Sequence, residues 1–142
     1  MSLSTYDAKQ VSVIVDGIIV DGYADGAFVS IEQNEDQFSL QVGTDGDACR
    51  SKTNNRSGRI TITLAQWSDS NILLSALHAG DVLSPSGDGI VPVLVMDKSG
   101  TTICAAEKAW IVKPPTVEFG REAGSREWVL ETDNIVMGVG GN

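Results

Sequence analysis

Three side chains near the middle of the chain have the types that a hydrolase uses, namely Ser75, His78 and Asp81. On a helix, residues three apart share a face, so a hydroxyl, an imidazole and a carboxylate would be neighbours. Nucleophilic catalysis also needs an oriented base and an oxyanion hole, and the sequence has no Gly-x-Ser-x-Gly turn. We therefore interpret these residues as an exposed helical face, with His78 near the helix end, where the dipole favours a cation.

A first cluster of carboxylates contains Glu32, Glu35 and Asp36. Paired acid and base chemistry needs one carboxyl with a raised pKa beside another that stays ionised, and nothing in the surrounding sequence separates the two. The cluster is therefore typical of a solvated turn.

A second cluster, Asp45 and Asp47, resembles the first ligands of a calcium loop. The fifth position counted from Asp45 is Cys49 and the twelfth is Arg56, so the ligand pattern is broken twice. We expect no calcium site here.

The soft metal ligands of the chain are Cys49, Cys104 and the only histidine, His78. No two of them have the close spacing of a zinc site. In a reducing cytoplasm the two cysteines would stay thiols, and we expect them to be inert and half-buried. The sequence predicts no metal, no cofactor and no enzyme.

The bulk composition fits one globular domain that spans residues 1–142, with 42% hydrophobic and 20% charged residues. The longest apolar runs, such as 90–96, are far shorter than the roughly 18 residues of a membrane-spanning helix. The N-terminal MSLSTYDAKQ lacks the basic start and apolar core of a secretion signal. We expect the protein to stay in the compartment where it is made and to bind no membrane.

The net charge of −9 limits the classes of partner that the protein can bind. An acidic surface repels phosphate backbones, so specific nucleic-acid binding is not expected. Trp67, Trp110 and Trp128 are too scattered to stack bases along a strand, and we interpret them as core or interface anchors. An acidic wall would nevertheless suit a channel through which DNA has to slide.

Frequent turn signals divide the chain into the short elements that would position these residues. Asp-Gly pairs begin at 16, 21, 25, 45 and 88, and such pairs tolerate the positive φ angles of tight hairpins. The clearest hairpin is VSVIV at 11–15, Asp16-Gly17, then IIV at 18–20. Further strands are predicted at 27–33, 38–42, 47–53, 59–66, 90–97, 101–113 and, with a break, 126–139. This spacing predicts a mainly β fold, a small β-barrel or β-sandwich.

One segment has helical periodicity instead. Its apolar residues are Ile72, Leu73, Ala76 and Leu77, which predicts one short helix over about 69–79. Ser68, Asp69 or Ser70 would cap its first turn, and Gly80 would end it in the left-handed conformation.

Two features complicate the strand pattern. Pro92 lacks an N–H within an otherwise strong strand, so 90–97 is predicted to be an edge strand or to begin pairing after the proline. The polar stretch 52–58 is predicted to be a loop that projects from the body.

The strand 59–66 has two different faces. Ile60, Ile62 and Leu64 point one way and predict a core face. Arg59, Thr61, Thr63 and Ala65 point the other way, and these small or polar side chains suit a surface that is wet, lines a pore or meets another subunit. Arg59, Thr61 and Thr63 are our candidate assembly or lumen surface.

A resemblance covers nearly the whole chain. The hairpin at 11–20 is followed in order by YADGAFVSIEQNED, VGTDGD, NNRSGRITITLAQWSDSNILLSAL, PVLVMD, AEKAWIVKPP, FGREAGSREWVLET and the terminal VGGN. This series resembles the inner tail tube proteins of contractile-tailed bacteriophages, the myoviruses, and of related prophages. Their fold is shared with the tube proteins of type VI secretion systems and contractile bacteriocins.

The resemblance implies a virion structural protein without catalytic residues. Such proteins join into hexameric rings by pairing sheets between subunits, and the rings stack as a hollow tube inside the sheath. The implied partners are further copies of the chain, the sheath, baseplate and tail terminator proteins, and genomic DNA passing without specific binding. Assembly in the host bacterial cytoplasm is expected. The polar loop, with Lys52, Asn54, Asn55 and Arg56, would be a candidate for ring stacking.

Three alternatives stay open. The chain could be the tube of a related contractile injection system that delivers protein, or a baseplate or tube-terminator component that forms one ring and stops. A small β-barrel ligand-binding protein or enzyme is the distant alternative, and a cupin-like enzyme would need more than one histidine.

Overall fold

The structure is a computed structural model that describes residues 3–87 and 89–141. Asp88, which begins the fifth Asp-Gly pair, and Asn142, the last residue of VGGN, lie outside the described residues. A 3-10 turn at Ala8–Gln10 precedes ten strands and one helix. The elements are β1 (Val11–Val15), β2 (Ile18–Val20), β3 (Val29–Gln33), β4 (Phe38–Val42), β5 (Ala48–Lys52), β6 (Gly58–Ala65), α1 (Ser70–Leu83), β7 (Val91–Asp97), β8 (Ile103–Lys113), β9 (Ser125–Thr132) and β10 (Val136–Gly138).

Eight strands form one antiparallel sheet in the order β2-β1-β7-β8-β9-β6-β3, with β10 continuing along β8 beyond the end of β9. The sheet bends around a single core, since Val20 of the end strand β2 and Ile62 of β6, next to the other end strand, belong to the same buried cluster. The mainly β prediction is confirmed, as is the break between β9 and β10. The sheet is not a closed barrel, however, because β2 and β3 do not pair with each other.

The first hairpin is as predicted. Val15 pairs with Ile18, and the two residues between them, Asp16 and Gly17, have φ angles of 53° and 77°. Both angles are positive, as the type I′ turn requires, and this turn matches the right-handed twist of its strands. The Asp-Gly signal therefore sets the register in which β1 and β2 meet.

The edge-strand alternative for Pro92 is wrong. β7 lies inside the sheet, between β1 and β8. The carbonyl of Pro92 accepts a hydrogen bond from the Asp16 N–H at 2.9 Å, while the pairing with β8 shifts register between Val91 and Val93. The N–H and C=O of a strand residue point to the same side, so the missing Pro92 N–H faces the Asp16-Gly17 turn and not β8. The ladder between β1 and β7 begins at Val93, and the proline therefore removes no bond from it.

The helix is longer than predicted, running from Ser70 to Leu83. Gly80 does not end it but lies inside it, because a glycine in a helix interior costs only about 1 kcal/mol. The end comes at Ser84, whose φ and ψ of −98° and 127° are extended. Pro85 follows, and a proline disfavours the helical conformation of the residue before it.

The start of α1 is fixed by serines. Ser68 Oγ accepts from the Ser70 N–H at 3.3 Å and donates to the Asp21 carbonyl at 2.6 Å, whereas Asp69 makes no side-chain cap. Ser70 Oγ accepts from the Asp21 N–H at 3.0 Å. These bonds hold the beginning of the helix against the turn that follows β2.

The stretch 52–58, predicted to be a polar loop, does connect β5 to β6, and the two strands before it form a hairpin. β4 and β5 pair only with each other, in a two-stranded sheet separate from the main one. Hereafter "the hairpin" means residues 38–52. All of β4 is exposed, and in β5 only Ser51 is partly covered.

Within residues 3–87 and 89–141 no helix has the length and apolar character needed to cross a bilayer. Nor do these ranges bring three or more His, Cys, Asp or Glu side chains together in a way that could hold a metal ion.

Candidate assembly surfaces

The strand β6 positions the predicted assembly surface. It lies between β3 and β9, so its side chains alternate between the core and the opposite face of the sheet. Ile60, Ile62 and Leu64 are fully buried in the core, as predicted. On the other face Arg59 is exposed and Thr61 and Thr63 are half-buried. Ala65 was predicted to be on this outward face too, but it is only 2% exposed, so that prediction is wrong for it. We call this side of β3, β6 and β9 the threonine face.

The threonine face is acidic. Arg59 lies in register between Glu32 of β3 and Glu131 of β9, and its Nη2 donates to Glu131 Oε1 at 2.8 Å. This hydrogen bond raises the pKa of Arg59 above its ordinary value. Glu127 lies opposite Thr63. Three carboxylates therefore share this face with a single guanidinium that one of them already engages.

Of the four residues predicted to stack rings, three lie in the connection between β5 and β6, and the remaining one ends β5. Lys52 ends β5, paired with Phe38, and is therefore part of the hairpin. Asn55 Oδ1 accepts a hydrogen bond from the Ser57 N–H at 3.0 Å, and this bond stabilises the turn that leads the chain from β5 into β6. Arg56 is tied to the main sheet, because its carbonyl accepts from the Ile135 N–H at 2.9 Å. The fourth, Asn54, is exposed between the two ends.

The hairpin has an apolar side that the sequence analysis did not identify as a surface. Phe38, Leu40 and Val42 alternate along β4 and share a face, and Leu40 is 70% exposed. Arg50 lies opposite Leu40, with its guanidinium carbon 4.0 Å from the centre of the Phe38 ring. The period-two apolar pattern predicted the strand, but it gave no sign that Leu40 and Val42 would lie exposed, at 70% and 62%.

A second exposed apolar feature lies beside the helix. A groove of about 560 Å³ separates α1 from the segment that follows β8. We call it the helix groove. Its wall on α1 includes Ile72, Ala76 and Ala79, and its other wall Pro114, Pro115 and Val117. Ile72, one of the apolar residues from which the helix was predicted, is 71% exposed, and Leu74 is the apolar residue of α1 that is fully buried.

The partly buried amide of Asn71 lies at the floor of the helix groove. Asn71 Nδ2 donates to the carbonyls of Ala65 and Ser68 at 3.1 and 3.0 Å, and its Oδ1 accepts from Trp128 Nε1 at 2.9 Å. The amide thereby joins the end of β6, the first turn of α1 and β9. Trp128 is 3% exposed and is a core anchor as predicted, whereas Trp67 is 73% exposed.

The hydrolase-like residues do not form a catalytic group. Ser75 lines the helix groove, and His78 Nδ1 is buried without a hydrogen-bond partner among the described residues. Asp81 accepts instead from the Gly89 N–H at 3.3 Å. His78 also lies in mid-helix, since α1 continues to Leu83, so its predicted place at the helix end is wrong.

One carboxylate in each of the two acidic clusters accepts a local hydrogen bond, and the two thiols differ in their exposure. Glu35 accepts from the Thr53 hydroxyl at 3.2 Å, and Asp45 accepts from the Asp47 N–H at 3.3 Å within the hairpin turn. Both cysteines are free, but only Cys104 is buried, and this burial raises the pKa of its thiol. Cys49 is exposed on the hairpin, so the prediction of half burial is wrong for it.

Comparison with known protein structures agrees with this architecture. The chain is similar to a protein in the anti-feeding prophage tube terminating cap, with a TM-score of 0.61, 9% identity and 97% and 93% of the two chains covered. It is also similar to chains in two structures of an extracellular contractile injection system. In the sheath/tube terminator the TM-score is 0.64 at 11% identity over 98% and 100% of the chains, and in the sheath-tube complex 0.63 at 12% over 94% and 91%. At these identities the similarity establishes the fold.

Sequence comparison establishes the family. The chain is 33% identical to the structural protein ORF10 of Pseudomonas phage KPP10 over 145 aligned positions, which cover 98% of this chain and 84% of that protein. The family model described as the bacteriophage PhiTE tail tube protein matches residues 4–140. This chain therefore belongs to the PhiTE family of bacteriophage tail tube proteins.

Proposed function

We propose that this chain forms the inner tube of a contractile phage tail, as hexameric rings stacked into a hollow tube through which DNA is ejected. The role is structural and non-enzymatic. One feature of the fold carries the proposal, which is that the main sheet is open and ends in β2 and β3. Each end strand presents a row of backbone N–H and C=O groups to a neighbour, and pairing of unlike edges between copies generates rings.

The threonine face is the proposed lumen wall. It consists of threonines and three carboxylates, with the guanidinium of Arg59 bonded to Glu131. A wall rich in Lys and Arg would hold DNA through many phosphate contacts, whereas an acidic wall offers the phosphates of DNA no free cation to bind. DNA would therefore slide past without specific binding.

The proposed partners follow from the tube. They are further copies of the chain, the sheath protein around it, and the baseplate and tail terminator proteins at its ends. Residues 1–142 would act as one domain in the virion tail, assembled in the cytoplasm of the host bacterium. Lys52, Asn54, Asn55 and Arg56 remain candidates for contact between rings. The sheath-tube complex among the structurally similar chains supports this arrangement.

Negative-stain electron microscopy of the purified protein tests the proposal. We expect hollow tubes or hexameric rings at high protein concentration, with slow growth where an initiating baseplate is absent. A protein that stays monomeric at every concentration and salt condition would contradict it.

A tube terminator or cap is the second candidate. It is favoured by the two structurally similar chains that come from a terminating cap and from a sheath/tube terminator. A terminator forms one ring and stops, whereas a tube protein grows without limit. Long open-ended polymers would therefore exclude the terminator, and rings that never stack would favour it. A tube that delivers protein instead of DNA would show the same polymers and differ in its cargo.

A further inference from the structure

The helix groove is an apolar surface that nothing within the described chain covers. Ile72, Ala76 and Ala79 are four and three residues apart, so they lie on one side of α1 and form one wall. The two alanines leave space in front of the helix that larger side chains would fill. Pro114, Pro115 and Val117 close the other side. The result is an open, elongated site for apolar side chains.

The hairpin is an apolar surface of matching character. Phe38, Leu40 and Val42 project from one side of β4, and β4 and β5 form a sheet of their own. A two-stranded sheet alone in water is marginally stable, and it gains stability when its apolar side is covered. The row from Phe38 to Val42 is about 13 Å long, and the groove wall from Ile72 to Ala79 about 10 Å.

The hairpin and the helix groove lie at opposite ends of β6. The hairpin leaves the sheet beside Gly58, where the Asn34 N–H donates to the Ser57 carbonyl at 3.0 Å. The groove begins just after Ala65, at Gln66 and Asn71. The eight residues of β6 separate them by about 25 Å. A hairpin therefore meets a groove most directly on another copy, placed head to tail along β6.

Charge favours the same pairing. Arg50 and Lys52 lie opposite Leu40 and Phe38 and flank the apolar row. Helix α1 contains no Lys or Arg, and its last turn has Asp81 beside the negative end of the helix dipole. The cation in the groove, Arg126, donates to the carbonyls of Ser125 and Glu118 at 2.9 and 3.3 Å and so is already engaged.

We propose that the hairpin of one copy inserts Phe38, Leu40 and Val42 into the helix groove of a second copy of this chain. The inference rests on the proposed function and extends it, because it identifies the helix groove as the surface of one ring that the hairpins of the next ring contact. A contact between two different surfaces leaves one of each free at the ends of a stack. It therefore repeats along a tube of any length.

Cysteine cross-linking tests the contact. Two variants are made in a Cys49→Ser background, one with Leu40→Cys and one with Ala76→Cys, and both keep the buried Cys104. They are mixed, assembled and treated with a mild oxidant. The control replaces Leu40→Cys by Ser39→Cys, which lies on the opposite side of the same strand. We expect about tenfold more disulfide dimer from the Leu40 pair, because a disulfide needs a Cβ separation of about 4 Å.

The outcomes separate the two proposals. Tubes or rings in which the Leu40 pair links no better than the Ser39 pair would overturn the groove contact and leave the tube function standing. A protein that remains monomeric throughout would overturn both. Selective linking of the Leu40 pair within tubes supports both.

Discussion

Thr61 and Thr63 lie at the centre of the threonine face, between β3 and β9. Their neighbours include Glu32, Glu127 and Glu131, so any cation placed there meets carboxylates on both sides. The hydroxyls themselves carry no charge, and a polyanion sliding past would find no fixed counterion.

Replacing both threonines with lysine tests this role. We expect Thr61→Lys/Thr63→Lys to fold, because both sites are only half-buried and a lysine can extend its ammonium group into solvent. We expect it either to assemble poorly or to form tubes that retain DNA at low salt. Electron microscopy and a DNA retention assay over a salt series measure the two effects.

The paired Thr61→Ser/Thr63→Ser variant is the control, since it keeps the hydroxyls and adds no charge. If the lysine variant assembled like the control and retained no more DNA, the threonine face would not line the lumen.

Gly22 is a second residue on which the fold depends. Its φ is +73°, and a Cβ placed there would lie 2.4 Å from Ser68 Oγ. That hydroxyl is the one that holds α1 against the turn after β2. Gly26 has a similar φ of +93° but open space around it.

We therefore expect Gly22→Ala to lower the free energy of unfolding by about 2–4 kcal/mol, and Gly26→Ala by about 1 kcal/mol. The difference measures the clash with Ser68, because the backbone strain is common to both variants. Denaturant unfolding followed by circular dichroism gives both values. Equal losses would mean that Ser68 moves aside at little cost.

Sequence reasoning located the threonine face because alternation along a strand decides which side each residue takes. Ile60 and Thr61 follow each other, and burying one exposes the other. The helix groove had no such local signal. Ile72 and Pro114 are far apart in the sequence, and only the folding of β8 and β9 brings them together.

At the scale of elements, strands were predicted well where turn chemistry and period-two pattern agree, as in β1 and β2. The errors arose where one residue was given too much weight. Gly80 was expected to end the helix, but Pro85 marks where it ends. Pro92 was expected to lie in an edge strand or before the pairing begins, and the first alternative is wrong because β7 lies inside the sheet, although its ladder with β1 does begin after the proline, at Val93.

The hairpin gives a prediction at this scale. Gln37 and Thr53 lie at its base, and the Thr53 N–H donates to the Gln37 carbonyl at 2.8 Å. Replacing residues 38–52 with Asn-Gly would close the chain with a two-residue turn that suits this spacing. We expect the free energy of unfolding to change by less than about 1 kcal/mol, because the hairpin adds no strand to the main sheet.

The same variant should lose ring stacking while keeping the two sheet edges. Electron microscopy would then show single rings where the unmodified chain gives tubes. Tubes of normal length without the hairpin would exclude it from contact between rings. A full-length variant with Ser39→Ala and Ser51→Ala on the other side of the hairpin is the matched control and should stack normally.

At the scale of the whole molecule, charge opposes assembly. Each copy carries −9, so copies that approach one another repel over the Debye length, about 10 Å at 0.1 M salt. The apolar contacts proposed for the helix groove are not weakened by salt in this way.

We therefore expect tube growth to be several-fold faster at about 0.5 M salt than at about 0.02 M. Light scattering follows the growth, and electron microscopy verifies that tubes and not amorphous aggregates form. Growth that slows steadily as salt is added would mean that attraction between opposite charges, and not repulsion, controls assembly.

Two bulges in β8, one in its pairing with β7 and one in its pairing with β9, have a consequence for the number of subunits. Register shifts occur between Val91 and Val93 and between Ile111 and Lys113, and bulges increase the local bend and twist of a strand. If copies join edge to edge through β2 and β3, each adds a fixed arc, and the circle closes when the arcs sum to a full turn. The number of subunits in a ring would then depend on the angle that each copy contributes. A substitution that removed one bulge would change this angle, and with it the diameter of the lumen, without altering any residue at a contact between subunits.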